Sequence, residues 1–167
     1  SFESIGVDTF ADIVLQKGNK ESVCIESKEN VARVIQTVVE DKRLRISTKT
    51  DSFEVIPHAV IYITYSTLNG LVVHHSGDVS CKEPVESNWL GIIQNGKGNI
   101  DLQVDVTSLD ATVTKSGSLK ISGSANEAKI MNTGPGTFDG IGLETSEAKV
   151  TIKDSGGISI HVEDELS

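Results

Sequence analysis

Three groups of side chains in this 167-residue sequence are of a type and spacing that could do chemistry. The first is His74 and His75 with Asp78, where a metal ion would be sought. Neighbouring residues on a strand face opposite ways, so the two imidazoles do not converge on one ion, and the pair reads as one solvated and one packed histidine. His58 and His161 stand alone. The second group is acidic: Asp78, Asp101, Asp105, Asp110, Asp139 and Asp154 recur near glycine-containing turns. If successive turns stack, at least two of Asp101, Asp105, Asp110, Asp139 and Asp154 could lie ~5–9 Å apart, the separation at which one carboxyl acts as acid and its partner as base or nucleophile in glycoside cleavage. An enzyme acting on acidic polysaccharide also needs cations to grip its substrate. Residues 61 to 167 supply seven lysines and no arginine, which weighs against that reading. NGKGNIDLQ, residues 95 to 103, is a single near match to the calcium-binding nonapeptide and lacks a partner repeat, so neither a metal nor a cofactor is expected. The third group is one residue, Trp89. It precedes an apolar Leu90 and should therefore point outward, where a flat ring could stack on a sugar or anchor a protein, unless the loop EPVESN covers it.

Charge and composition narrow the partner. The formal net charge is −9, and residues 1 to 60 hold 8 basic against 10 acidic side chains, with no basic stripe anywhere. Phosphate backbones and anionic membrane surfaces are recognised by clustered Lys and Arg, so nucleic acid and a lipid headgroup surface are disfavoured. No apolar run approaches 18 residues, so no membrane-spanning helix is encoded. Cys24 and Cys81 sit in alternating patterns as small apolar residues, without a CxxC pair or enough histidine for zinc; they do not fix a redox compartment, and whether they meet is left open.

The elements that must position these residues are mostly strands. Residues 1 to 66 form a β-rich part: VDTFADIVLQKG alternates until a Lys17-Gly18 turn, SVCIES resumes the alternation, and RLRIST and AVIYITYSTL add further strands. Within it, Ser27 is placed to cap a segment, KENVARVIQTV, whose Val31, Val34, Ile35 and Val38 fall at i, i+3, i+4 and i+7. That spacing predicts one short amphipathic helix near 28–38.

Residues 67 to 167 are periodic. A glycine following a small polar residue recurs at Gly77, Gly96, Gly117, Gly134 and Gly156, preceded by Ser76, Asn95, Ser116, Thr133 and Ser155. Four residues before each glycine stands Val73, Ile92, Val113, Ile130 or Ile152, and a second apolar position follows at Val79, Ile100, Leu119, Phe138 and Ile158. A unit of about 20 residues with two short strands and a glycine corner cannot bury its own apolar face, so such units must stack as coils at the ~4.8 Å strand spacing. The corner glycines would supply unusual φ or close approach, and the polar residues before them would satisfy backbone groups or form a ladder between coils. A plain antiparallel meander with glycine turns is the alternative.

FESIGVDTFADIVLQKGNKESVCIES, KENVARVI, KRLRIST and the succession STLNGLVVHHSGDV, NGKGNIDLQV, KSGSLKISG and AKIMNTGPGTFDG together resemble the putative auto-transporter adhesin, head GIN domain family of Bacteroides-like bacteria. The resemblance extends over essentially the whole chain. It implies an all-β fold, a right-handed, single-stranded parallel β-helix (β-solenoid) continuous with the N-terminal part. It also implies a secreted or cell-envelope protein behind a signal-peptide or lipoprotein leader that this sequence does not include, and defines no functional residues. The expectation is a non-enzymatic adhesion or interaction module with a glycan or a host or envelope protein as partner. A polysaccharide-active enzyme, and a structural stalk or assembly unit pairing through an uncapped coil, are the alternatives.

Overall fold

The computed structural model describes residues 1–27, 31–49, 58–74 and 77–167. The chain opens with β1 (Ser4–Asp8), β2 (Asp12–Lys17) and β3 (Ser22–Ser27). A three-residue 3-10 turn, Val31–Arg33, leads into β4 (Ile35–Glu40), β5 (Arg43–Thr48) and β6 (Ala59–Tyr65). After these come β7 (Gly70–Val73), β8 (Val79–Cys81), β9 (Val85–Gln94) and two 15-residue strands, β10 (Asn99–Val113) and β11 (Ser118–Asn132). The chain closes with β12 (Thr137–Gly140), β13 (Leu143–Ile152), β14 (Gly157–Ile160) and β15 (Glu165–Leu166). All fifteen belong to one continuous sheet that wraps into a parallel β-solenoid.

From Gly70 onward each turn lies on the one before it. One inward column runs Ile5, Leu71, Ile92, Ala111, Ile130, Val150. On a second face the column is Ile61, Ile13, Val79, Ile100, Leu119, Phe138, Ile158. A third, shorter face aligns Val85, Val104, Gly123 and Leu143. These columns meet inside as one apolar cluster, and removing them from water is the dominant stabilising term, at roughly 1.5–3 kcal/mol per fully buried large aliphatic side chain. Gly123 marks a bend that no other residue could make: its φ is +103°, and a Cβ there would stand 2.0 Å from the Val104 carbonyl oxygen.

The N-terminal part stacks out of chain order. Strand β1 lies between β5 and β7, and β2 lies between β6 and β8. The rung formed by β5 and β6 is therefore the outermost parallel one, the first strands of the chain come next, and β7 and β8 follow. Beyond this rung β4 pairs with β5 and β3 with β6, both antiparallel. The columns cross from residues 1–66 to residues 67–167 without a break.

The helix predicted near 28–38 is corrected by the structure. Residues 28–30 lie outside the described residues; of the rest, Val31–Arg33 is a single 3-10 turn and Ile35–Glu40 is a strand. The i, i+3, i+4, i+7 pattern was genuine, but the segment IQTVVE is rich in β-branched residues. Its pairing with β5 through a tight Asp41-Lys42 turn, both residues at positive φ (47° and 59°), satisfies its backbone as a hairpin does.

The frame of the repeat also shifts. Val73, Val113 and Ile152 share a column with Gln94 and Asn132, whereas Ile92 and Ile130 belong two residues earlier, with Leu71 and Ala111. A frame slipped by two residues keeps every side chain on the same face, so the alternation alone could not expose the slip. The stacked corner glycines, two residues before the second-face column, are Gly77, Gly98, Gly117, Gly136 and Gly156. Gly96 and Gly134 instead follow the buried Gln94 and Asn132 by two residues.

Those two amides explain the corners. The Gln94 side chain, fully buried, accepts from the Gly96 N–H (3.1 Å) and donates to the Gly98 carbonyl (2.8 Å) and to Ser118 O of the next rung (3.4 Å). Asn132, equally buried, repeats the arrangement with Gly134 N–H (3.1 Å), Gly136 O (2.7 Å) and Gly157 O (3.2 Å). A Cβ on Gly117 would come within 2.9 Å of the Gln94 amide nitrogen, and one on Gly156 within 2.4 Å of that of Asn132. Two of the turns are thus held by buried amides.

Candidate functional site

One polar ladder passes through Asn95, where the sequence put it; of the other ladder residues, His74 and Thr114 stand two positions before Ser76 and Ser116, and Asp78 and Ser118 two positions after. His74, Asn95 and Thr114 are linked side chain to side chain, at 3.0 and 2.8 Å, ahead of the corner. After it, Asp78 accepts from the Asn99 backbone N–H (2.8 Å) and Asn99 accepts from the Ser118 hydroxyl (2.6 Å). Ser116 and Ser155 are exposed, and the Thr133 backbone N–H donates to Val113 O. Ser76 and His75 lie outside the described residues.

The candidate carboxylates Asp101, Asp105, Asp110, Asp139 and Asp154 do not share one face. Asp101 and Asp139 stand on the second face with Lys120 between them; Asp105 is on the third face, accepting from the Ser124 hydroxyl; Asp110 is on the first; and Asp154 binds the Ser155 N–H beside it. The recesses lined by Asp105 and by Asp110 do not share these two residues. A carboxylate row the sequence reading missed is Glu127, Glu147 and Glu165, exposed, stacked on consecutive rungs and lining one recess of about 400 Å³ with Asp110, Lys129 and Lys149. Among the described residues no group of three His, Cys, Asp or Glu is placed to hold a metal ion. Nor could the two thiols meet within one chain: Cys24 on β3 and Cys81 on β8 are three strands apart, roughly 14 Å, beyond the reach of a disulfide. Burial raises the Cys81 thiol above its usual pKa, the opposite of what a reactive cysteine needs.

What the fold does assemble is a recessed strip on the outer surface of the first face. Leu90 points inward and is fully buried, so Trp89 before it emerges outside, 48% exposed. Its indole does not stand up into solvent. The six-membered ring lies over Gly91, where a Cβ would fall 2.6 Å from a ring carbon, and the indole N–H donates to Asp110 of the next rung at 3.0 Å. Glycine at 91 is thus what lets the ring lie down, and Asp110 holds it there. The outward row continues from Gly91 to Gly70, Ser4 and Arg43, one residue per strand across β9, β7, β1 and β5. Next to it runs a second outward row of Ile93 (40% exposed), Val72, Gly6 and Arg45. A groove of about 340 Å³ follows the first row, with Trp89 and Asp110 at one end and Arg43 at the other.

Sequence reasoning singled out Trp89 but not Gly70, Gly91, Arg43 or Arg45. Gly91 carried a usable signal, as an isolated glycine inside an otherwise regular strand marks a close approach. The arginines carried none, because their neighbours in space come from β1 and β7.

Among the described residues no helix is long and apolar enough to cross a membrane. No curated protein matches the sequence. Among solved structures, a putative adhesin from Bacteroides fragilis is 24% identical with a TM-score of 0.94, over 99% of this chain and 78% of that one. A putative lipid binding protein from Parabacteroides distasonis is 20% identical (TM-score 0.75, 99% and 80%), and a putative adhesin from Parabacteroides merdae 19% identical (TM-score 0.74, 99% and 79%). At these identities the likeness is one of fold. The family model described as putative auto-transporter adhesin, head GIN domain, matches residues 1–167, and the chain belongs to that family.

Proposed function

We propose that this chain is a non-enzymatic adhesion module displayed on a bacterial cell envelope, and that it holds a glycan against the outer surface of the Trp89 face. The observation that carries the reading is the indole laid flat over Gly91 and fixed by Asp110. A ring held in one orientation with its outer side open to solvent is a preorganised platform for the apolar face of a sugar, and its immobilisation cost is met in folding rather than on binding. Family membership supports the adhesive and envelope setting. The candidate aspartates Asp105 and Asp110 line separate recesses, which supports the non-enzymatic part, since glycoside cleavage needs its acid and its base or nucleophile in one site.

A glycan-array screen of the purified chain with and without calcium, comparing wild type with Trp89→Ala, tests this. Selective binding that is lost in the variant is the expected result. Binding indifferent to Trp89, or turnover of a bound glycan, would contradict it.

A further inference from the structure

We propose that the ligand of this face is an acidic oligosaccharide, with one ring on Trp89 and a carboxylate further along the chain held by Arg43. The inference rests on the adhesive reading above and adds the ligand's charge and span. Along the row Gly91, Gly70, Ser4, Arg43 the floor carries almost no side-chain bulk, and the two ends differ in chemistry: an aromatic plane at one and a guanidinium at the other. They are three strands apart, about 14 Å, so the groove takes several linked sugars rather than one. Asp110, which accepts the indole N–H through Oδ2, lines the same groove and offers an acceptor for a sugar hydroxyl.

Charge singles out this end of the molecule. The chain carries a net charge of −9 and has arginine only at 33, 43 and 45. Two of these three project from β5 onto this face. Arg43 is exposed, and the one hydrogen bond of its side chain among the described residues is a long one, 3.5 Å from Nε to the Ser4 hydroxyl, which leaves the terminal nitrogens of the guanidinium to take a carboxylate. Arg45 reaches Glu40 only at 4.0 Å, with both side chains about two-thirds exposed. Beside the groove, Arg43 and Arg45 share a second recess of about 640 Å³ with His74 and Lys115, against the single carboxylate of Asp8. The lack of arginine in residues 61 to 167, which argues against an acidic-sugar ligand on sequence, is made good by β5 from the threaded part of the chain.

The test is an array of uronate-, sialate- and sulfate-bearing oligosaccharides beside their neutral or carboxyl-reduced counterparts, probed with wild type, Trp89→Ala, Arg43→Gln and Arg43→Lys. Arg43 is exposed, so its variants should melt as wild type does, which is checked alongside. Expected are binding of carboxylate-bearing members, loss of about tenfold on carboxyl reduction and in Arg43→Gln, and only partial rescue by Arg43→Lys, which keeps the charge without the fork. Trp89→Ala should weaken acidic and neutral members alike. Binding of neutral members unaffected by Arg43 would overturn the acidic ligand and leave the Trp89 platform standing. Preference for sulfate over carboxylate would overturn the assignment of the acid group. An array on which no member binds, or binding insensitive to both residues, would remove both readings.

Discussion

Residues 67–167 and residues 1–66 build the same solenoid by opposite routes. In the first, each rung is laid on its predecessor, so neighbours in space are about 20 residues apart in sequence. In the second, the rung of β1 and β2 is inserted between β5–β6 and β7–β8, and antiparallel β3 and β4 close the end. In-line stacking makes each rung depend on two neighbours and tolerates loss from an end, as in a one-dimensional array. Threading gives the chain's first residues an interior position. It also seats β1 between β5 and β7, and so sets Arg43 three strands from Trp89 across the small residues Ser4 and Gly70.

Truncation separates the two most sharply and carries the largest expected effect. Deleting residues 1–18 removes Ile5, Val7, Ile13 and Leu15 from the middle of the stack and strands β5 and β6 away from β7 and β8. No cooperative thermal transition should remain. Deleting residues 153–167 removes β14 and β15 from an outer position, and the remainder should stay folded with a lowered Tm. Circular-dichroism melts of both decide it; a cooperative melt within a few degrees of wild type for the N-terminal deletion would break the comparison.

Inside the array, the next effect comes from the amides. Replacing Asn132 by Leu leaves the Gly134 N–H and the Gly136 and Gly157 carbonyls without their buried partner, and the loss should be about 3 kcal/mol, given ~1–3 kcal/mol for each buried group left unsatisfied. Val113 occupies the same column one rung earlier, and the turn there is completed by Gly117 N–H to Gly96 O and Gly136 N–H to Lys115 O. Urea unfolding of Asn132→Leu should therefore show a lower midpoint at unchanged slope, while Val113→Leu, which inserts one methylene at a fully buried site, should lose less, about 1 kcal/mol. Equal losses for both would mean that packing rather than hydrogen bonding decides the column.

The same contrast accounts for what the sequence made readable. A 20-residue period with apolar residues in fixed phase betrays in-line stacking, because the residues that touch are those that repeat. The frame within that period was lost where Gln94 and Asn132 occupy core positions, since a search for apolar columns passes over a buried amide. In the N-terminal part the strands were legible one at a time, but their order was not; nothing in RLRIST shows that FESIGV lies beside it. Val31, Val34, Ile35 and Val38 were misread for a related reason: the partner that makes IQTVVE a strand lies across a two-residue turn of non-glycine residues, without an Asn-Gly signal. Trp89 could be placed outside from its neighbour Leu90, yet the groove it ends could not be drawn without the order of β9, β7, β1 and β5.

The smallest effect lies in the threaded part. Tyr65 on β6 is buried like Gln94 and Asn132, but its hydroxyl has no hydrogen-bond partner among the described residues. Burial, and then the negative charge of Cys81, Glu83 and Glu86, pushes its pKa up to about 12 from an ordinary value of 10.0. The folded state thus holds the neutral phenol while the unfolded chain gives up its proton earlier. Stability from this group is fully present below pH 10 and is lost as pH rises through the window from 10 to about 12, by up to roughly 2 kcal/mol. Tyr65→Phe removes an unpaired hydroxyl, so at pH 7 it should be neutral or stabilising by a few tenths of a kcal/mol, where Asn132→Leu costs several. Between pH 10 and 12 the variant should unfold later than wild type in a pH-jump or urea series. A loss above 1 kcal/mol at pH 7 would show that the Tyr65 hydroxyl is hydrogen-bonded in solution, and that the threaded part secures its buried polar groups as tightly as the array secures its own.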